Sequence, residues 1–229
     1  MTVDLNVRAE TMEHVEAFAA LAKRLGFEII VTSYGREAKI IPTKDVQIKI
    51  LRRRELRGKT INALKTQTNQ FRRKAAILAV PLGGGSVTNW AAKDPRIDLL
   101  TLASLDRKMS LSRTTARIAA ASDTALEIPI EPLLRHRGLD RSRYLKAYRE
   151  AVEVALAADM QVVLVSGAVD VFDLRSPDAL SYIGAVIGLD RKYVQNALRW
   201  ARNRVLRNLE RMRPEFITPG VEIVGRVSE

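Results

Sequence analysis

Strand-like and helix-like segments alternate along almost the whole chain, and this alternation limits the folds that the sequence can adopt. Seven short apolar segments are candidate strands: Val3–Val7, Glu28–Thr32, Val46–Leu51, Ala76–Val80, Asp98–Leu102, Ala125–Ile128 and Val162–Val165. Segments with apolar residues at three- and four-residue steps lie between them. Such alternation predicts right-handed βαβ units and a parallel sheet. The pattern is compatible with an open doubly wound sheet and with a barrel.

The ends of several predicted helices carry recognisable capping residues. The predicted N-caps are Thr11, Asp140, Ser176 (followed by Pro177) and Asp190, and Gly26 is the predicted end of the first helix. The chain beyond Pro214 has few apolar residues to bury. We therefore predict a single α/β domain over residues 1–213 and an irregular tail over residues 214–229.

The positive charge of the chain is large and unevenly distributed. The 38 Lys and Arg residues outnumber the 26 Asp and Glu residues, which gives a formal net charge of +12. Residues 44–74 contain eleven basic and two acidic residues, and residues 191–213 contain eight basic residues and one acidic residue. Clustering of this kind indicates a polyanionic partner such as nucleic acid, although charge alone does not distinguish RNA from DNA.

Other features exclude several classes of protein. The chain has no cysteine, so it has no disulfide framework and no thiolate chemistry. No apolar run approaches the roughly 20 residues that a membrane helix needs. The opening residues, Met1–Asp4, lack the basic and then apolar layout of a signal peptide. These features predict a cytoplasmic protein without a membrane partner.

Several short motifs occur in an order that is informative as a set. They are Val3-Asp4-Leu5-Asn6-Val7, Gly83-Gly84-Gly85 with Asn89-x-Ala91, Asp98-Leu99-Leu100, Ala125-Leu126-Glu127-Ile128, Ser166-Gly167-Ala168, Leu174-Arg175-Ser176-Pro177, Gly188-Leu189 and Ala197. Together they resemble the third protein component of archaeal ribonuclease P, the family of the eukaryotic thirty-kilodalton subunit of that enzyme. One departure lies in the last helix, where Ala201-Arg202-Asn203-Arg204 stands in place of the Ser and Pro that the family often has.

The resemblance implies both a fold and a role. The implied fold is an irregular TIM-like barrel with about seven parallel strands, related to the polymerase-and-histidinol-phosphatase metalloenzymes. The implied role is that of a non-catalytic subunit of ribonuclease P, the ribonucleoprotein that removes the 5′ leader of precursor tRNA. The implied partners are the catalytic RNA, precursor tRNA and a smaller ribonuclease P protein subunit. The implied cofactor is magnesium in the RNA-based holoenzyme, with none bound by the protein.

The residues available for a metal site are few. The related phosphoesterase barrels have His-x-His in the first strand, where this chain has Asp4-x-Asn6, and its only histidines are His14 and His136. Zinc-type sites need imidazoles or thiolates. Three candidate carboxylates, Asp4, Asp98 and Glu127, could hold magnesium through oxygen ligands, or could pair inside the barrel with Lys49 or an arginine. We expect the pairing, and we assign neither a metal ligand nor a catalytic residue.

The glycine run Gly83–Gly85 has two interpretations. It follows a predicted strand and precedes a helix that Ser86 could cap, so it could form an anion-binding nest. The chain has neither a G-x-G-x-x-G nor a Gly-Lys-Ser/Thr motif there. A turn that requires positive φ is the favoured interpretation.

Arginines follow several of the predicted strands. The candidate RNA-binding residues are Arg52, Arg53, Arg54, Arg107, Arg135, Arg137 and Arg175. Ligands of α/β barrels gather at the carboxyl ends of the strands, and a guanidinium donates two parallel hydrogen bonds to phosphate. The alternative is a solvated loop or, for Arg175, an ion pair with Asp173 or Asp178. Arg72-Arg73-Lys74 end a helix near the opposite rim, where they would complement the helix dipole.

The sequence is also compatible with two other functions. A metal-dependent phosphoesterase would retain the chemistry of the related barrels, and a small-molecule α/β enzyme would have a metabolite pocket. Two histidines argue against the first, and two strongly basic segments argue against the second. The five Phe, five Tyr and two Trp residues fall mostly on predicted helix stripes, so we do not expect base-stacking platforms.

Overall fold

The fold is seen in a computed structural model that describes residues 2–35, 48–83, 85–102, 105, 110–218 and 221–222. The strands of the main sheet are β1 (Val3–Val7), β2 (Ile29–Thr32), β3 (Lys49–Glu55), β4 (Ile77–Pro81), β5 (Leu99–Thr101), β6 (Ala125–Pro129) and β7 (Val162–Val165). The helices are α1 (Met12–Arg24), α2 (Ile61–Phe71), α3 (Gly85–Lys93), α4 (Arg113–Ala121), α5 (Glu131–Arg135), α6 (Gly138–Leu156), α7 (Pro177–Val186) and α8 (Arg191–Arg211). A 3-10 helix at Val171–Asp173 precedes α7.

The seven strands are parallel, and each pairs with its neighbour in the sequence from β1 to β7. The two outer strands meet as well, because the amide of Arg8 donates to the carbonyl of Ala168 at 2.8 Å. Side chains complete this seam. The Asp4 carboxylate accepts from the amide of Ser166 at 3.2 Å, and the Ser166 hydroxyl donates to the carbonyl of Asn6 at 3.1 Å. The predicted TIM-like barrel with seven parallel strands is therefore confirmed, whereas its kinship with the phosphatase barrels stays a prediction.

Apolar residues form two layers, as expected for strands that are covered on both faces. One layer fills the barrel and includes Leu5, Val31, Leu51 and Val163. The other packs the outer face of the sheet against the helices. Side chains alternate along each strand, so in β3 the inward position after Leu51 falls on Arg53, and Arg52 and Arg54 face outward.

The prediction for the third strand was wrong. It placed the strand at Val46–Leu51 and the three arginines in the loop beyond it, whereas β3 is Lys49–Glu55 and contains all three. The apolar pattern stops at Leu51, but the strand continues because its polar side chains have partners. The Arg53 side chain reaches Glu127 inside the barrel, and the guanidinium of Arg54 lies 4.6 Å from the centre of the Phe71 ring outside it.

The predicted capping residues are mostly confirmed. The side chains of Thr11, Ser176 and Asp190 accept from backbone amides three residues further on, at 3.1, 3.2 and 2.7 Å. The prediction for Asp140 was wrong, because α6 begins two residues earlier, at Gly138, whose φ of +54° turns the chain into the helix.

The turn before α3 involves the predicted glycine run. Gly85 has a φ of +34°, as the favoured interpretation requires, and it is the first residue of α3. Ser86 lies inside the helix instead of capping it. The amide of Gly83 donates to the hydroxyl of Thr88 at 3.0 Å.

Helix α8 closes the amino-terminal end of the barrel. Ala201 and Val205 join the interior layer of the barrel. The Arg204 guanidinium donates to the carbonyl of Ile97, and the Asn208 side chain donates to that of Ala76 at 2.8 Å. Because Ala76 and Ile97 lie just before β4 and β5, α8 crosses the end at which the strands begin.

The chain after α8 is not wholly irregular, in contrast to the prediction. Phe216–Thr218 and Val221–Glu222 form a two-stranded antiparallel sheet, which gives β8 and β9. The boundary of the domain at residue 213 stays a prediction. Among the described helices, none combines the length and the apolar composition needed to cross a bilayer.

Candidate functional site

Glu127 is paired inside the barrel and is not available as a ligand. The Nη1 and Nη2 atoms of Arg53 donate to its two carboxylate oxygens, at 2.5 and 2.9 Å, and the Thr101 hydroxyl donates to it as well. A further bond joins Arg53 to the carbonyl of Leu5 at 2.9 Å. Burial opposes the charge of Arg53, but Glu127 outweighs that effect and raises the pKa of the guanidinium. The expected ion pair is confirmed, with an arginine instead of the exposed Lys49 as the partner.

Asp98 is the centre of a second buried network, at the amino-terminal end of the barrel. Its carboxylate accepts from Arg204 at 2.6 Å, from Arg72 at 2.8 Å, from the Asn208 side chain at 2.8 Å and from the amide of Leu78 at 2.7 Å. Burial alone would raise the pKa of Asp98, but the two arginines and the hydrogen bonds hold it below its ordinary value. The pairing expected for this carboxylate is also confirmed.

Asp4 differs from the other two carboxylates because no ion pair holds it among the described residues. Burial raises its pKa to about 6, and the nearby Glu127 adds to that effect, although hydrogen bonds from Ser166 and Asn6 oppose it. A carboxyl group with this pKa is partly protonated near neutral pH. Its role in the structure is to join β1 to β7 across the seam.

Replacing Asp4 with asparagine is expected to stabilise the protein at pH 7.5 and to leave its stability at pH 4 almost unchanged. The folded-state pKa of about 6 exceeds the ordinary value of 3.8. Between pH 3.8 and pH 6, the Asp4 carboxyl group therefore holds a proton in the folded state that it has lost in the unfolded chain. Stability is therefore lost as the pH rises through 6. Because a pKa difference of one corresponds to about 1.4 kcal/mol, the gain is up to about 3 kcal/mol.

Urea unfolding at several pH values measures this effect. The control is Asp140→Asn, since Asp140 is exposed on α6. A stability difference between the Asp4 variant and the parent protein that does not change with pH would show that the pKa of Asp4 is the same in the folded and unfolded states.

The residues that could bind a metal do not come together in the described part of the chain. It contains no group of three or more His, Asp or Glu side chains suited to an ion. The ring of His14 stacks on that of Phe18 at 4.5 Å, and the Nδ1 atom of His136 lies 2.9 Å from the carbonyl oxygen of Pro132. Both histidines thus pack within or beside their own helices.

The predicted RNA-binding residues fall into groups with different surroundings. Arg52 and Arg53 are each only 2% exposed to solvent, which leaves almost no surface for a phosphate to contact. The prediction that they lie in an open loop was therefore wrong. Arg54 is exposed on the outer face of β3, one residue before the end of that strand. Arg107 lies outside the described residues.

Arg135 and Arg137 lie where predicted, between β6 and α6. Arg135 is half exposed and pairs with Asp173 at 2.7 Å and with Glu131 at 3.3 Å, so it joins the loop after β6 to the loop after β7. Burial would raise the pKa of Asp173, but hydrogen bonds from Arg135 and two backbone amides lower it. Arg137 is exposed and has no charged partner among the described residues.

Arg175 follows β7 on a well-defined loop. Its Nη1 atom donates to the carbonyls of Phe172 and Leu174, both at 2.7 Å. Neither aspartate that could neutralise it does so, because Asp173 pairs with Arg135 and Asp178 pairs with Arg191 at 3.0 Å. Neutral carbonyls therefore hold the guanidinium in place while its charge remains uncompensated.

Sequence reasoning missed several residues at the same end of the barrel. Arg8 directly follows β1, Arg113 begins α4, and Arg141 lies in the first turn of α6. Phe172 is 84% exposed on the 3-10 helix, which a capping box between Asp170 and Asp173 holds in shape. We call this surface the carboxyl face, and it consists of Arg8, Arg113, Arg135, Arg137, Arg141, Phe172 and Arg175. The sequence could have indicated Arg8, because this residue directly follows the first predicted strand. It contains no pattern that indicates the exposure of Phe172.

Comparisons with known proteins agree with this architecture. Ribonuclease P protein component 3 of Methanosarcina barkeri is 28% identical over 215 residues, which cover 92% of this chain and 89% of the relative. The protein of the same name from Methanosarcina acetivorans is 31% identical over 170 residues, covering 74% and 71%. A chain in a cryo-EM structure of archaeal ribonuclease P with mature tRNA has the same fold, with a TM-score of 0.78, 23% identity and coverage of 99% and 100%.

The family itself follows from a match over most of the chain. The model of the family described as RNase P subunit p30 matches residues 1–213. This match confirms the resemblance that the short motifs indicated. The chain therefore belongs to the RNase P subunit p30 family.

Proposed function

We propose that this chain is a protein subunit of ribonuclease P that binds the catalytic RNA and assists it electrostatically in removing the 5′ leader of precursor tRNA. The observation that carries the RNA-binding role is Arg175, whose guanidinium is held by two carbonyls without a carboxylate partner. A fixed cation at the carboxyl ends of barrel strands loses little entropy when it contacts a phosphate. Arg135, Arg137, Arg8, Arg113 and Arg141 extend this surface.

The proposed mechanism rests on charge. Helices of the catalytic RNA and the precursor tRNA repel one another through their phosphates, and arginines between them offset that repulsion. The planar guanidinium suits this task because it donates two parallel hydrogen bonds to phosphate oxygens. The proposal assigns no cleavage step to a residue of this chain, and the magnesium that it requires belongs to the RNA of the holoenzyme.

A metal-dependent phosphoesterase is not favoured by the described residues. Magnesium needs oxygen ligands that are free to coordinate it. The oxygens of Glu127 are occupied by Arg53 and Thr101, and those of Asp98 by Arg72, Arg204 and Asn208. These two carboxylates of the described part of the barrel therefore have no oxygen left free for a resident metal.

The proposed role requires RNA and protein partners in the same compartment. The partners are the catalytic RNA, precursor tRNA in the holoenzyme and a smaller ribonuclease P protein subunit. The relatives named ribonuclease P protein component 3 support this assembly. A cytoplasmic location completes the proposal and is supported by the absence of cysteine. Cell fractionation with detection of the catalytic RNA in the same fraction tests both points.

Replacing Arg175 with glutamine is expected to weaken binding of the catalytic RNA and to lower the slope of log affinity against log salt by about one. Each phosphate contact that is lost reduces this slope by roughly 0.9. The melting temperature should change little, because the variant loses bonds to carbonyls that are close to solvent. Filter binding at several salt concentrations, with the smaller protein subunit present, measures the slope.

The matched control is Arg143→Gln, an exposed arginine of α6 that pairs with Asp140 at 3.2 Å. It removes the same charge from a neutralised site, so its slope should equal that of the parent protein. If the Arg175 variant melts early and keeps the parental slope, Arg175 holds the loop and does not contact RNA.

A further inference from the structure

The opposite end of the barrel carries a compact group of cations, which we call the amino-end arginine cluster. It consists of Arg72, Arg204, Arg207 and Arg211. The counter-ions are Asp98, which accepts from Arg72 and Arg204 at 2.8 and 2.6 Å, and Asp123, which accepts from Arg204 and Arg207 at 3.1 and 2.9 Å. Three of the four guanidinium groups thus share these two carboxylates.

Arg211 is the member without a carboxylate partner in the described part of the chain. It lies in the last turn of α8, where it is partly exposed. Burial lowers its pKa, and the charges of Arg204, Arg207 and Arg72 lower it further, whereas Asp98 only partly opposes them. A cation held among like charges raises the free energy of the unbound protein. An anion that binds there would relieve this repulsion.

The surface beside the cluster is also basic. Arg73 and Lys74 directly follow Arg72, and both are exposed at the turn before β4. Helix α8 is fixed across the same end of the barrel by its buried residues Ala201 and Val205. The cations are therefore presented on a rigid support, which lowers the entropy lost when they bind a partner.

We propose that the amino-end arginine cluster, with Arg73 and Lys74, is a second RNA-binding surface that contacts backbone phosphates. This inference rests on the proposed function and extends it, because the carboxyl face lies at the other end of the strands. A strand of five residues such as β4 is about 16 Å long, so one RNA phosphate cannot touch both surfaces. The protein would hold two separate segments of RNA at a fixed distance.

Phosphate is the anion that suits the cluster best. Each phosphodiester offers one charge and two non-bridging oxygens, which match the fork of a guanidinium. Successive phosphates along a backbone can meet Arg211, Arg207 and the neighbouring Arg73 in turn. An acidic protein surface is the competing occupant, and the experiment below separates the two.

The test replaces Arg211 with glutamine and measures binding of the catalytic RNA by the complex with the smaller protein subunit. We expect binding to become about threefold to tenfold weaker, with a salt slope lower by about one. We also expect an equal or higher melting temperature for the free protein, because the variant removes a cation from among like charges. A purely structural residue would not combine weaker binding with unchanged or increased stability.

The control is Arg199→Gln on the same helix, which is twelve residues and therefore about 18 Å from Arg211. The Arg199 side chain donates to Asn196 at 3.1 Å and does not belong to the cluster. A second variant, Arg73→Gln with Lys74→Gln, removes exposed charges that no buried network uses. It should lower the slope by about two, which keeps the test valid if the Arg211 variant folds poorly.

Hydroxyl-radical footprinting of the RNA separates the two surfaces. Nucleotides that lose protection with Arg211→Gln should differ from those that lose it with Arg175→Gln. This inference is overturned if the salt slope is lowered by Arg175→Gln but equals the parental value in the Arg211 variant and in the double variant of Arg73 and Lys74. The proposed function would then still stand. Parental slopes in all of them overturn both. Weaker assembly with the protein subunit at unchanged RNA affinity would identify an acidic protein as the occupant.

Discussion

Replacing Asp98 with alanine is expected to lower the free energy of unfolding by about 3–5 kcal/mol. The substitution leaves the buried Arg204 without its closest carboxylate and also deprives Arg72, Asn208 and the amide of Leu78 of their common acceptor. A domain of this kind has a total stability of about 5–15 kcal/mol. The variant should therefore be close to unfolding at physiological temperature, and helix α8 should detach first.

Urea unfolding followed by circular dichroism measures the loss, and the fluorescence of Trp200 in a Trp90→Phe background reports on α8. The control is Asp94→Ala in the same loop, because Asp94 pairs with the more exposed Arg96 at 2.6 Å. A half-exposed pair of this kind is worth about 1 kcal/mol or less. Equal losses for the two variants would mean that the Asp98 network does not fix α8.

The same network predicts how stability depends on acid. The folded-state pKa of Asp98 lies below its ordinary value of 3.8, so its contribution is present above that value and is lost as the pH falls through the folded-state pKa. Asp4 acts in the opposite sense, because its folded-state pKa is raised to about 6. The Asp98→Ala variant should therefore lose less stability than the parent protein on strong acidification.

Replacing Arg53 with methionine is expected to cost about 3–5 kcal/mol as well, through a different route. It leaves Glu127 buried inside the barrel with only Thr101 as a hydrogen-bond donor. The carboxyl group of Glu127 should then take up a proton, since burial disfavours its charged form. Stability of this variant should rise as the pH falls from 8 to 5, and by more than that of the parent protein, in which Asp4 contributes a smaller rise over the same range.

A double variant, Arg53→Met with Glu127→Met, separates the cost of the unpaired charge from the value of the pair. Apolar residues of similar volume often replace a buried ion pair without loss, so the double variant should regain most of the stability. The control is Arg57→Met, which disrupts the exposed pair of Arg57 with Glu55 and should cost about 1 kcal/mol or less. A double variant that is as unstable as the single one would show that the pair itself, and not the charge left behind, stabilises the barrel.

Much of the sheet could be predicted from local sequence, because most of its strands are short segments in which apolar residues predominate. Val3–Val7 and Val162–Val165 were predicted to the residue. The third strand could not be, since five of its seven residues are polar and its inward arginine depends on Glu127, 74 residues away. A local pattern contains no information about such a distant partner.

The candidate site was predicted less well than the fold, for the same reason. The basic run at Arg52–Arg54 looked like a surface feature, but the strand carries two of these side chains into buried positions. In the sequence of α8, apolar residues recur at three- and four-residue steps (Val194, Ala197, Ala201 and Val205), which predicts that the helix packs on the core. Its position across the end of the barrel, however, follows from contacts between Arg204 and Asp98, 106 residues apart. The positive charge available to RNA at each end of the barrel depends on which arginines are already neutralised by such long-range ion pairs.

The seam between β1 and β7 has a consequence for synthesis of the protein. Every other pair of neighbouring strands is also a pair of neighbours in the chain, so the sheet can grow in order as the ribosome extends it. The edge of β1 stays unpaired until residues 162–168 have left the ribosome. Only then can Arg8 bond to Ala168 and Asp4 bond to Ser166. An unpaired parallel edge is a template for wrong strand addition. Nascent chains that stall before residue 162 should therefore be the aggregation-prone species.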